Sequence, residues 1–204
     1  MRAGMRHGAR CCFYNWANIE RRYPPPYGWF ERYNFRHAAH GIAGNAEAAA
    51  IIRGHGYTGP VTVLPQFGVD PELFAPRQGG PAETSASPFV VGYLGRLLPQ
   101  KGLLDLVEAL PQTPEHVHLR IIGTGAQRAE LLARAEALGV RARVELEEWT
   151  DDVLGALRGL HALALPSRTT RAWKEQFGRV LIEAMSCAVP VIGSSSGEIP
   201  NVVG

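Results

Sequence analysis

Two glutamates, Glu175 and Glu183, bracket a glycine, Gly178, in the run "WKEQFGRVLIEAMSCAVPVIGSSSGEIP" over 173–200. If a helix begins near Phe177, then Val180, Leu181, Ala184, Met185 and Ala188 share one face and Glu183 flanks it. Gly178 then lies in the first turn, where unpaired backbone N–H groups and the positive end of the helix dipole suit an anion such as a phosphate. At about 1.5 Å of rise per residue, Glu183 sits roughly 7 Å further along, close to the span from a phosphate to the diol of its ribose. A carboxylate can accept two hydroxyl hydrogen bonds from such a diol. Glu175, on the loop side of the turn, faces whatever lies beyond the phosphate. A second stretch, "VVGYLGRLLPQKG", ends a strand on Gly92 and Gly95 and brings Arg96 and Lys101 to its carboxyl edge, the place where open α/β sheets bind ligands. Two cations there suit a pyrophosphate. Taken singly, each feature also has an ordinary meaning: a solvated loop acid, a helix-surface acid, two surface charges. The "GTG" of Gly123 to Gly125 is by itself only a tight turn.

These residues need a frame that brings strand ends together, and the chain supplies one. From Phe89 onward, short apolar runs alternate with helical runs in five units, the signature of an α/β domain with a parallel sheet. "FVVGYLG" leads into "KGLLDLVEAL", "HVHLRIIG" into "AQRAELLARAEALG", and "ARVELEEW" into "DDVLGALRGL". "HALALP" leads through a loop into "FGRVLIEAMSCA", and "PVIGSSS" closes the series. The strands are mostly apolar, as in sheets covered on both faces. Residues 77–88, "RQGGPAETSASP", read as an interdomain linker. Upstream, residues 1–76 hold only a partial set: a helical run "GWFERYNFRHAAH", a strand "GIAG", a helix from Asn45 to Arg53 capped by Asn45, and a strand "VTVLP". They read as the last piece of another α/β domain, with residues 89–204 as the ligand-binding one. "YPPPYG" at 23–28 is extended, because its prolines oppose a helix.

Composition narrows the function classes. The 204 residues are 46% hydrophobic, with 21 basic and 19 acidic side chains well mixed and a formal charge of +2. That is enough apolar material for a packed core and too little field for a nucleic-acid backbone. Cys11, Cys12 and Cys187 form no CxxC pair and no metal-ligand spacing, which fits a reducing compartment. The basic start lacks the apolar run of a secretion signal, and no stretch reaches the ~18 apolar residues of a membrane span. A cytoplasmic protein is expected, with peripheral membrane contact left open. His37 and His40 are expected on a helix surface and His161 packed at a strand start, none of them catalytic.

Taken together, the motifs resemble the donor-binding half of retaining glycosyltransferases of family four, which have the GT-B fold. The family pattern "GRLxxxKG" meets Gly95, Arg96, Lys101 and Gly102, and "GxGxxxxEL" meets Gly123 and Gly125. "LPS" meets Leu165 to Ser167, and "EGFGxxxLEAMACGxPV" meets Glu175 through Pro190. The resemblance covers residues 86–204 and continues backward through "AGNAEAAAIIRGHGYTGPVTVLPQFGVDPELFAP". It implies a Rossmann-like donor domain preceded by the remnant of an acceptor-side domain. It also implies transfer of a hexose from a nucleoside diphosphate sugar with retention, to a glycan, lipid or small-molecule acceptor. Arg96 and Lys101 would hold the pyrophosphate, and Glu175 the donor sugar. The backbone of Phe177, Gly178 and Arg179 would approach sugar and phosphates, and Glu183 would take the ribose diol. Gly95 and Gly123 belong to the same donor-binding set, and Trp149 and Thr150 stand at the base pocket. No metal and no further cofactor is implied.

Gln176, Ala188 and Ser195 depart from the pattern, where glycine, glycine and aspartate are common. The first domain's glycine-rich loop and acceptor-side residues do not appear, so the chain reads as truncated at both ends. Alternatives are a nucleotide-sugar-binding module or inactive fragment without catalysis, and another GT-B enzyme such as an epimerase or a phosphorylase. An NAD-dependent dehydrogenase is disfavoured, since no G-x-G-x-x-G follows a strand.

Overall fold

The computed structural model describes residues 2–65, 67–76 and 88–204. It divides into two compact units, Met1–Phe67 and Gly68–Gly204. The expected linker lies, apart from Pro88, outside the described residues. The packed boundary comes earlier than residue 77 for a physical reason. Phe74 packs on the core of the second unit. The Arg158 guanidinium donates from Nε and Nη2 to the Ala75 carbonyl at 3.0 and 2.6 Å.

In the first unit, α1 (Arg2–Arg6), β1 (Cys12–Asn15), α2 (Tyr27–His37), β2 (His40–Ala43), α3 (Ala46–Gly54) and β3 (Val61–Val63) follow in order. The strands form one parallel sheet, β1-β2-β3. Ala43, Ala48, Ile52 and Tyr57 make its core, with Phe13 and Phe35 packed against them. Asn45 caps α3 as expected, its side-chain oxygen accepting from the Ala48 N–H at 2.7 Å. The sequence reading missed β1. "CFYN" is a short edge strand whose partner is distant in sequence, Cys12 lying opposite His40. The reading also ran α2 three residues too far. Ala38 is extended at φ −75° and ψ 132°, so His40 opens β2 instead of sitting on the helix.

The second unit is the five-unit α/β domain expected. Its strands are β4 (Phe89–Leu94), β5 (Val117–Ile122), β6 (Val144–Glu147), β7 (Ala162–Leu165) and β8 (Val191–Gly193). Between them run α4 (Leu103–Ala109), α5 (Arg128–Ala137), α6 (Val153–Arg158) and α7 (Arg179–Ser186), with α8 (Ile199–Val203) after β8. All pairs are parallel, in the order β6-β5-β4-β7-β8. The chain winds outward from β4 to β6, then returns to β4's other side with β7. Burial explains the apolar strands: Leu119, Ile121, Ile122 and Leu163 are inaccessible or nearly so. Because crossovers diverge from β4 and β7 in opposite senses, a crevice opens at their carboxyl ends, and ligands of such sheets bind there.

Helix α7 differs from its expected form. It begins at Arg179, two residues after Phe177, with Gly178 at its N-cap. Leu181, Glu183 and Ala184 are the residues it buries, whereas Met185 is 37% exposed and Ala188 is exposed beyond the helix end. The end is a Schellman turn: Val189 N–H donates to Ala184 O at 2.9 Å and Ala188 N–H to Met185 O at 3.0 Å. Ala188 takes the left-handed position there, φ 58°.

Candidate active site

The carboxyl end of β4 runs straight into the first cation. Gly95 N–H donates to Ile122 O and Leu97 N–H to Thr124 O, which stitches this turn to the end of β5. Tyr93, almost fully buried, donates its hydroxyl to the Arg96 carbonyl at 2.9 Å. Burial and, next, the negative Glu175 push the Tyr93 phenol well above its ordinary range, with Arg96 pulling the other way. The phenol therefore stays a donor and holds the Arg96 backbone in place. A single 3-10 turn, Pro99–Lys101, then carries Lys101 to the same edge.

From β7 comes the acid. The chain passes Pro166 and Ser167, then loops to Glu175, whose Oε2 accepts from Lys101 Nζ at 2.6 Å and from Ser167 Oγ at 2.7 Å. Lys101 also lies over the Trp173 ring, 4.9 Å from its centroid. Glu175 and Ser167 are both buried, so the carboxylate has exchanged water for one ammonium and one hydroxyl. The backbone of Glu175 is held from the far side by the loop after β8. Its N–H donates to Ser196 Oγ at 3.3 Å, and its carbonyl accepts from Glu198 N–H at 3.2 Å. Gly197, at φ 57°, makes this approach possible, since a Cβ there would stand 1.8 Å from the Glu175 oxygen.

A cavity of about 380 Å³ opens at this edge, lined by Tyr93, Arg96, Lys101, Thr124, Trp149 and Leu165 together with Leu94 and Gly95. Of the expected site residues, Gly95, Arg96 and Lys101 line it, and Glu175 joins it through Lys101. Gly123 stands at the end of β5, its N–H on Glu147 O, and its neighbour Thr124 does the lining. Trp149 lines the cavity, while the Thr150 hydroxyl accepts from Asp152 N–H in the turn before α6. Phe177 and Gly178 lead into Arg179, the first residue of α7. A left-handed backbone, φ 80° and ψ 54°, turns the chain at Gly178 into that helix.

Glu183 lies one turn into α7, buried, with Arg179 Nε on its Oε1 at 2.8 Å. Burial raises its pKa, and the charge and hydrogen bond of Arg179 oppose the shift. Sequence reasoning missed Tyr93, Trp173 and Ser196. Tyr93 looks like any strand residue, and nothing in "GSSSGE" marks Ser196 as Glu175's partner. The histidines lie elsewhere: His37 bonds Tyr33 O, His40 bonds Thr62 and His161 accepts from Val90 N–H. Among the described residues, no group of three His, Cys, Asp or Glu side chains could hold a metal ion.

A parallel sheet of this order, with a crevice at its switch point, has the Rossmann-like architecture of GT-B glycosyltransferases. The chain belongs to the family described as glycosyl transferases group 1, whose model matches residues 81–204. It is 32% identical over 114 residues to the lipopolysaccharide core biosynthesis glycosyltransferase LpsE of Rhizobium meliloti, covering 56% of this chain and 32% of that protein. It is 32% identical over 153 residues to the GDP-mannose-dependent monoacylated alpha-(1-6)-phosphatidylinositol monomannoside mannosyltransferase of Corynebacterium glutamicum, covering 67% and 39%. Among solved structures, HepE of Anabaena in complex with UDP-glucose superposes with a TM-score of 0.72 at 25% identity, covering all of this chain and 58% of that one. The chain thus spans roughly a third to two fifths of the curated relatives named here.

Proposed function

We propose that this chain carries the donor site of a glycosyltransferase that moves a hexose from a nucleoside diphosphate sugar to a glycan, lipid or small-molecule acceptor, with retention at the anomeric carbon. The observation that carries the reading is the convergence of Arg96 and Lys101 at one switch-point crevice with the buried carboxylate of Glu175, on the loop that leads into α7. As the bond from the anomeric carbon to the diphosphate oxygen lengthens, negative charge grows on the leaving group and positive charge on the sugar ring. Arg96, Lys101 and the first N–H groups of α7 offset the former, in a site whose groups are already in place. Glu175 accepts from hydroxyls of the donor sugar, and Glu183 from the ribose diol. Backbone at Gly95, Gly123, Phe177, Gly178 and Arg179 lets the donor approach closely, and Trp149 and Thr150 border the base. The bond to the departing diphosphate is replaced by one from the acceptor hydroxyl oxygen on the same face of the sugar, and the hydroxyl proton leaves on the diphosphate oxygen. The reading calls for no metal and no further cofactor.

In the resting arrangement Lys101 and Glu175 satisfy each other. Donor binding redistributes them: the diphosphate takes the ammonium, and sugar hydroxyls take the carboxylate. Relatives with UDP-glucose bound or with GDP-mannose in their names support a nucleotide-sugar donor without fixing the base. Calorimetric titration with UDP, GDP and ADP and their sugars tests the reading. One nucleotide series should bind, with the sugar adding affinity. No binding by a folded chain would overturn it, and binding without transfer to any acceptor would favour a nucleotide-sugar-binding module.

A further inference from the structure

The Lys101 ammonium meets the Glu175 carboxylate at 2.6 Å and the face of the Trp173 ring, whose centroid lies 4.9 Å from Nζ. Donor chemistry accounts for the first contact and leaves the second unused. The ring is brought there by a loop, between Ser167 and Glu175, that has its own construction. Thr170 closes it: its N–H donates to Trp173 O at 2.7 Å, and its hydroxyl oxygen accepts from the N–H groups of Trp173 and Ala172 at 3.0 and 3.3 Å. One side of the loop is tied to the segment that carries Lys101. There the Arg168 N–H donates to Gln100 O at 2.8 Å, and the Arg168 guanidinium pairs with Asp105 in the first turn of α4. The other side reaches the stretch after β8, where Thr169 Oγ1 and Ser196 Oγ are 3.0 Å apart. Trp173 therefore stands on a braced loop, and the Lys101 side chain beside it is only 14% exposed.

We propose that Trp173 is a positioning residue for the donor, holding the Lys101 ammonium at the crevice when Glu175 gives it up. This rests on the donor reading above. Once the diphosphate takes the ammonium and the sugar takes the carboxylate, Lys101 no longer has Glu175 to fix it, and a long flexible side chain is costly to hold in one place. An aromatic face attracts the cation through its quadrupole but carries no net charge. It keeps the ammonium in position without competing for it with phosphate, as a second carboxylate would. Little water is left around Lys101 to screen the attraction.

Calorimetric titration of the chain and its variants with UDP, GDP and ADP tests the proposal. For the nucleotide that the wild type binds, Trp173→Leu should weaken binding about three- to tenfold, whereas Trp173→Phe, which keeps a ring, should stay within about twofold. In a Lys101→Ala background the same Trp173→Leu change should alter affinity by less than about twofold, because the ring acts through the ammonium. A second measurement needs no nucleotide. Lys101 and Lys174 are the lysines of this chain, so isotope-labelled lysine gives two sets of NMR signals. The Lys101 methylene beside the nitrogen should resonate upfield under the ring current and return to its ordinary position in Trp173→Leu. Equal loss of affinity with and without Lys101 would make Trp173 loop packing alone and overturn the proposal. Unchanged binding in Trp173→Leu, or a Lys101 signal indifferent to the ring, would also overturn it. If the wild type binds none of the three nucleotides, the donor reading falls and this proposal with it; if it binds one and the Trp173 results fail, the donor reading stands alone.

Discussion

The Lys101–Glu175 pair is the residue-scale centre of the molecule, and its two members should respond differently to removal. Lys101→Ala strips the diphosphate of a cation, and losing such a stabiliser lowers turnover by about 100-fold or more. Steady-state rates at saturating donor, in an active form of the enzyme, check this. Glu175→Gln removes the acid that competes with phosphate for the ammonium. UDP should then bind severalfold more tightly, while the extra affinity given by the sugar should shrink. Calorimetry with UDP and UDP-glucose reads both, and a loss of UDP affinity as large as that of Lys101→Ala would contradict the shared-cation account. Glu183 gives a pH prediction. Its folded pKa lies above the ordinary carboxylate value, so its contribution to stability is fully present below that value and is lost as pH rises through the folded pKa. Glu183→Gln should therefore raise the melting temperature more at neutral pH than near pH ~3, well below the ordinary carboxylate value, where the glutamate is protonated in both folded and unfolded chains. A gap that stays constant between the two pH values would place the pKa back in the ordinary range. The meeting of Arg96, Lys101 and Glu175 at one edge was legible, because they sit at fixed spacings from glycines that end strands or start helices. Ser167 and Ser196 as partners of Glu175 were not, since hydroxyls close contacts that only the folded chain creates.

At the scale of elements, α7 ends on a side chain where its geometry favours none. An L-residue in the left-handed region costs about 1–2 kcal/mol, and Ala188 is that residue in a well-formed Schellman turn. Ala188→Gly should stabilise the chain by about 1 kcal/mol, reduced by the freedom glycine adds to the unfolded state. Denaturant unfolding checks it, with the midpoint rising and the slope unchanged. Strands β4, β5 and β7 could be read from sequence because both faces are covered, which writes continuous apolar runs into the chain. β1 could not, because an edge strand of four residues is defined by its neighbour and not by its own pattern.

For the whole molecule, composition points to a linker at 77–88, nearly all of it outside the described residues, whereas packing divides the chain between Phe67 and Gly68. Phe74 and the Ala75 carbonyl bind the segment after Gly68 to the second unit before the polar stretch begins. Arg158→Ala removes two charge-assisted hydrogen bonds to that carbonyl, each worth on the order of 1.5–3 kcal/mol. The expected result is faster hydrogen exchange over residues 70–76, with the protection of β4 to β7 little changed. Uniform loss across the unit would show that the segment is integral to its core.

The support behind Glu175 is main chain rather than side chain, and it comes from the stretch that follows the last strand. A methyl group at position 197 would have to displace the Glu175 carbonyl, and with it the carboxylate's aim. If Glu175 holds the donor sugar as proposed, its preference should shift with substitutions at Gly197, and variants there are where a screen for altered donors should start.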